Sequence, residues 1–132
     1  MENATLDIPA LFQSKGLHGF TDNGTIFPSL IGLAAPFDAD LISQVASVAL
    51  DEAEGLGTTH MFAPVLDLSR ELHWGDVEEN FGEDLFLTGE MGQSFVRGMQ
   101  SGRRRNASAT ALARVAATCK HFAASGSPQG GL

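Results

Sequence analysis

The chain has 132 residues, 43% of them hydrophobic, with 16 acidic against 8 Lys+Arg side chains and a formal net charge of −8. That length allows at most one domain, able to bury roughly two-thirds of its unfolded surface, and the apolar content excludes disorder throughout. The acidic balance argues against nucleic acid, whose phosphates need a basic face.

In chain order, Ile8–Gln13 reads as a short strand with Pro9 at its start, where a missing donor is tolerated. Ser14–Phe20 is a glycine-punctuated polar loop carrying Lys15 and His18, and Asp22–Thr25 is a turn cluster. Ile26–Ala35 fits either a second strand, which Pro28 and Gly32 weaken, or an irregular apolar connector. The first clear helix starts at a cap on Asp38 or Asp40 and runs to about Leu56. Leu41, Val45, Ala49 and Ala53 form its stripe, Ile42 and Val48 flank it, and Gly55 and Gly57 supply the stop.

His60–Leu68 reads as a buried strand, followed by a long polar loop holding Asp67, Arg70, His73, Trp74 and Asp76. A second helix, from about Asp84 to Ser101, places Leu87, Met91, Phe95 and Met99 on one face. Its Gly89, Gly92 and Gly98 each cost roughly 1 kcal/mol of helix propensity against alanine, and close approach to a sheet would explain them. Gly102–Ser108 is a polar linker in which Arg103-Arg104-Arg105 reads as a solvated helix end. Val115–Phe122 is a strand of small and apolar residues with Lys120 and His121 near its end, and the tail from Ala123 to Leu132 is loop.

Strands alternating with helices imply right-handed crossovers and a parallel sheet, hence an α/β fold with every strand's carboxyl end on one face. That face collects Lys15 and His18, then Asp67, Arg70, His73 and Asp76, then Lys120 and His121; His60 opens its strand and belongs on the opposite side. Adjacent lysine and histidine side chains suit a sugar ring, which needs donors and acceptors at fixed angles, although such a pair also ends a strand at a solvent edge. Trp74 reads as an apolar anchor before a sugar-stacking platform. Glu78, Glu79, Glu83 and Asp84 invite a reading as a catalytic carboxylate pair, but Glu83 and Asp84 sit at a helix start, where negative charge is favoured anyway, and the capping reading is preferred.

The histidine spacing offers no metal motif, and the sequence has no phosphate-binding glycine loop, no dinucleotide fingerprint and no Gly-x-Ser-x-Gly, so no cofactor is expected. The single cysteine, Cys119, excludes an internal disulfide and is expected to pack inside its strand. No apolar run reaches the ~18 residues of a membrane span. The amino terminus lacks signal-peptide character and the Asn3, Asn23 and Asn106 sequons do not by themselves argue for export, so localisation is left open.

The stretch Leu66-Asp67-Leu68-Ser69-Arg70-Glu71-Leu72-His73-Trp74-Gly75-Asp76-Val77-Glu78-Glu79-Asn80-Phe81-Gly82-Glu83-Asp84 resembles a signature segment of glycoside hydrolase family 3, the β-glucosidase and β-xylosidase group. Ile8–Phe20, Gly24–Ala35, Phe62–Leu68, Phe95–Gln100 and Lys120–Leu132 resemble further blocks of that family in the same order. The resemblance implies a partial (β/α)8 TIM-barrel-like segment, roughly strands two to five of the family barrel, spanning 1–132 as one partial amino-terminal domain. It implies retaining hydrolysis of terminal β-D-glucosyl or xylosyl residues, with a β-glucoside or oligosaccharide as substrate.

By the same resemblance Lys120 and His121 bind hydroxyls of the terminal sugar. Asp76 stands where relatives carry an arginine, Lys15 where they carry a carboxylate, and Ser125 where many carry histidine. The Lys15 and Asp76 inversions would compensate if the two side chains paired. The family's nucleophile and acid/base fall outside the stretch matched, so this polypeptide is expected to be truncated and inactive alone, with unpaired sheet edges that favour self-association. The competing readings are a non-catalytic sugar- or partner-binding remnant and a fragment without function.

Overall fold

The computed structural model describes residues 10–20, 23–100 and 115–131. The expectations for Pro9, Asp22, the Arg103–Arg105 run, the 102–108 linker and the Asn3 and Asn106 sequons lie outside these residues. The described chain is α/β. Three two-residue strands, β1 (Gln13–Ser14), β2 (His60–Met61) and β3 (Ala116–Ala117), pair in parallel in the order β1-β2-β3. Three helices accompany them, α1 (Leu30–Ala34), α2 (Ala39–Gly55) and α3 (Leu85–Gln100), with 3-10 turns at Val77–Glu79 and Gln129–Gly131.

Asp38 is the N-cap of α2: its carboxylate accepts from Leu41 N at 3.0 Å, satisfying one of the donors that a helix start leaves free. The buried stripe of α2 is Ile42, Val45, Ala46, Ala49, Leu50 and Ala53. It is therefore centred on Ile42, whereas Leu41 is only half-buried and Val48 is exposed. Asp84 plays the same role for α3, accepting from Leu87 N at 2.7 Å, which bears out the capping reading of that carboxylate.

Ile26–Ala35 is neither strand nor irregular connector, because its second half forms α1. Leu30, Leu33 and Ala34 are buried there, and Pro28 lies before the first turn, where it obstructs no helical hydrogen bond. Gly98 of α3 sits against α2 and not against the sheet: an added Cβ would lie 2.2 Å from Ser43 O. Gly92 faces the Leu66 side chain, 2.4 Å from such an atom, while nothing crowds Gly89.

The regular ladder is shorter than the apolar runs suggest, but pairing continues past it. Thr118 N donates to both Met61 O (3.1 Å) and Ala63 O (3.0 Å), Lys120 N to Pro64 O (3.1 Å), and Leu66 N to Lys120 O (2.8 Å). The register His60↔Ala116 becomes Val65↔Lys120, so the β2 side carries one extra residue. Such a bulge bends its strand and re-aims the side chains beyond it. Here those side chains are Asp67 on one strand end and Lys120 and His121 on the other. Cys119, expected to be packed, is exposed on this extension.

Candidate functional site

The carboxyl end of the sheet gathers most of the expected groups. Asp67, with only 4% of its side chain exposed, stands at the end of the β2 extension; its Oδ2 accepts from His121 N (2.8 Å) and lies 2.7 Å from His121 Nδ1, and its Oδ1 accepts from Gly126 N (3.3 Å). Gly126 is required there, since a Cβ would lie 2.4 Å from Leu68 O. Leu66, Asp67, Arg70, His121, Gly126 and Ser127 are among the residues lining an open cleft of ≈ 270 Å³.

Beside the cleft lies a second cluster. Glu79 accepts from Lys15 Nζ at 2.8 Å through Oε1 and from Lys120 Nζ at 3.4 Å through Oε2. Lys120 is largely buried, whereas Lys15 is 65% exposed. The anticipated Lys15–Asp76 pair is thus replaced by Lys15–Glu79, with Asp76 close enough only to add a weaker attraction to the lysine charge. The hydrogen bond that Lys15 donates to Glu79, then the charge of that carboxylate, raises Lys15 above the usual lysine range. Burial opposes ionisation of Glu79, but Lys15 and Lys120 together outweigh it and hold the carboxyl below its usual range.

These opposite shifts define a pH window. Glu79 is depressed, so its contribution is present above the ordinary glutamate value and is lost as pH falls through its folded value. Lys15 is raised, so its smaller, solvent-screened contribution is complete below the ordinary lysine value and is lost as pH rises through the folded one. Glu79→Gln is expected to lower stability by about 1–2 kcal/mol at neutral pH, most of it from stranding the largely buried Lys120 ammonium. That difference shrinks as pH falls below the ordinary glutamate value and closes below the folded one, as read from urea midpoints of both proteins from neutral to strongly acid pH.

The loop between Asp67 and Asp84 is held by Asn80, which is fully buried. Its Oδ1 accepts from Ser69 Oγ (2.5 Å) and Gly82 N (2.8 Å), and its Nδ2 donates to Asp76 O (3.2 Å). Phe81 is buried next to it, and Trp74 packs half-buried against the core, as an anchor would. His73 does not join the site: its ring is 81% exposed and pairs locally with Glu71 at 2.6 Å, and the His73 backbone and ring hydrogen bonds hold that carboxyl low. His18 is half-buried after β1, with Nδ1 buried and lacking a hydrogen-bond partner. His60 sits at the opposite strand end against Thr118 and Phe62.

Glu79 and Asn80 were hidden in an acidic loop. The available signal for Glu79 was two lysines at strand ends on the same side of the sheet, which call for an anion between them. Among the described residues no helix is long and apolar enough to cross a membrane, and no group of three or more His, Cys, Asp or Glu could hold a metal ion.

A parallel sheet with charged and hydrogen-bonding groups gathered at the strands' carboxyl ends defines an α/β architecture. The chain belongs to glycoside hydrolase family 3: residues 1–131 match that family's N terminal domain. It is 37% identical over 131 residues to a periplasmic beta-glucosidase of Salmonella typhimurium, covering 99% of this chain and 16% of that protein. It is 34% identical over 127 residues to a beta-xylosidase of Formosa agariphila, covering 91% of this chain and 17% of that protein.

Among solved structures, the beta-glucosidase of Listeria innocua superposes with a TM-score of 0.84 at 37% identity, over 99% of this chain and 17% of that one. That enzyme has been solved with glucose, and a mutant of it with laminaribiose. The chain therefore spans about one-sixth of the length of the relatives it matches.

Proposed function

We propose that these residues form part of the sugar-binding wall of a retaining β-glucosidase- or β-xylosidase-type hydrolase, acting on terminal β-D-glucosyl or xylosyl residues. The observation that carries the reading is the adjacent Lys120 and His121 at one strand end, each held by a carboxylate, with His121 on a cleft of ≈ 270 Å³. One side chain supplies an ammonium and the other an imidazole, the donor and acceptor types that fix sugar hydroxyls. Lys15, Asp76 and His18 shape the edge of that wall. In fold terms, 1–132 is one partial barrel domain corresponding roughly to strands two to five.

The described residues contribute binding and not bond cleavage. Retaining hydrolysis needs a carboxylate free to attack and a second carboxyl ~5–5.5 Å away to transfer the proton. Asp67 is occupied by three N–H groups and Glu79 by two ammonium groups. A non-catalytic sugar-binding role for the isolated chain is favoured by the same observation.

The test is calorimetric titration of the chain with glucose and xylose, run beside turnover of chromogenic aryl β-glucoside and β-xyloside. Saturable binding without turnover, weakened about tenfold or more by Lys120→Ala, is the expected result. Turnover by the chain alone would overturn the assignment of binding without chemistry.

Self-association is part of the proposal. Among the described residues β1 and β3 are both sheet edges, and Leu11 and Phe12 beside β1 and Phe122 beyond β3 are exposed. Open parallel edges flanked by apolar side chains template pairing with another chain. Sedimentation velocity is expected to show mass rising with concentration, and Phe12→Lys with Phe122→Lys is expected to suppress it. Concentration-independent monomers would rule it out.

A further inference from the structure

We infer that Asp67 is the positioning residue of this site: it fixes His121 in the tautomer whose Nε2 is a hydrogen-bond acceptor, so that the pair reads one sugar hydroxyl as a donor and another as an acceptor. This rests on the sugar-binding reading above for its ligand, and on the geometry alone for the tautomer.

An ionised carboxylate only accepts hydrogen bonds, and a neutral imidazole carries its single N–H on one nitrogen. Asp67 Oδ2 lies 2.7 Å from His121 Nδ1 and also accepts from His121 N at 2.8 Å. The proton of the neutral ring therefore resides on Nδ1, and Nε2 keeps its lone pair. No hydrogen bond engages Nε2 among the described residues, and the ring, one-third exposed, lines the cleft. Rotation of the carboxylate away from this role is opposed on its other oxygen by Gly126 N, whose approach depends on the missing Cβ at that glycine. Both ends of Asp67 are thereby fixed.

Lys120 is donor-only, and its ammonium donates to Glu79 Oε2. Residues adjacent in sequence thus carry opposite polarities, N–H donors on Lys120 and a bare Nε2 on His121. A hydroxyl facing Nε2 must donate, whereas one facing Lys120 must accept. A fluorine in place of a hydroxyl cannot donate, so the site discriminates against a deoxyfluoro sugar at the position that meets His121.

The test has two readouts on the full chain. Long-range 1H–15N spectra of the imidazoles, with His121 assigned through His121→Gln, are recorded in mildly alkaline buffer. The expected result is a pyrrole-type Nδ1 and a pyridine-type Nε2 in the wild type, and loss of that single tautomer in Asp67→Asn, whose amide retains only one accepting oxygen. Calorimetry with glucose and its 2-, 3-, 4- and 6-deoxyfluoro analogues is expected to show one analogue binding about tenfold more weakly than glucose, with that contrast reduced in Asp67→Asn.

A protonated Nε2 or a mixed tautomer in the wild type overturns the inference, and this spectrum decides it even if Asp67→Asn does not fold. Equal affinity of all four analogues for a wild type that binds glucose also overturns it. The stated tautomer without any sugar binding would uphold Asp67 as the positioning residue and overturn the sugar-binding reading instead.

Discussion

Gly98→Val is expected to destabilise the fold by about 3 kcal/mol or more, read as a drop in thermal and urea midpoints, because overpacking a close contact moves backbone and not only side chains. The Cβ alone would lie 2.2 Å from Ser43 O and 2.8 Å from the Ala46 side chain, and both of those belong to α2. A carbonyl within a helix cannot step aside, so the two helices must separate along their shared face. That face includes Ala46 and Met99 with Phe95 one turn away, all buried. Against this loss stands a helix-propensity gain of well under 1 kcal/mol for valine over glycine, which is too small to compensate. Gly89→Ala is the control: nothing lies within 4 Å of its Cβ, and it is expected to be neutral or slightly stabilising.

The contrast between Gly98 and Gly89 also shows how far the sequence can be read. Three glycines in one helix announce close packing somewhere, and the sheet was the expected neighbour. Only the folded chain reveals that one meets α2, one meets Leu66 and one meets nothing. The long helices were legible because sixteen or seventeen residues repeat the apolar period several times and begin at Asp38 and Asp84. Five residues of α1 contain little more than one turn, so no period emerges and Pro28 and Gly32 dominate the pattern.

Strand length was overestimated for a related reason. Ala116, Ala117 and Thr118 carry too little side chain to define faces, and the one-residue bulge breaks the period-two alternation that marks a regular strand. The gathering of Lys15, Asp67, Lys120 and His121 was legible because it follows from parallel topology alone. Which carboxylate meets which cation was not. Asp76 and Glu79 differ by three residues in one acidic loop, and the 3-10 turn at Val77–Glu79, with Asn80 buried behind it, gives Glu79 the contact.

The second large effect is expected at Asp67→Ala, about 3 kcal/mol less stable by chemical unfolding, because removing a shared buried acceptor leaves the donors it held unsatisfied. Asp67 receives three N–H groups from two separate points of the chain, His121 and Gly126, and is almost fully shielded from water. Alanine would leave the His121 and Gly126 amides without their acceptor, and a small void beneath them. Water can reach the half-buried imidazole more readily than the buried Gly126 amide, so the penalty falls mainly on the backbone.

The loss is expected to have a local component as well. Hydrogen exchange of the amides from His121 to Ser127 should accelerate by more than exchange in α2, because this segment attaches to the β2 end through Asp67 itself. Equal acceleration in both regions would mean that Asp67 stabilises the domain only globally. Faster exchange confined to the segment would make the same carboxylate both the staple of the strand ends and the group that sets the polarity of His121. A site at the end of two-residue strands needs such a group, because the pairing beyond them is bulged and ends at Leu66 and Lys120, one residue before Asp67 and His121.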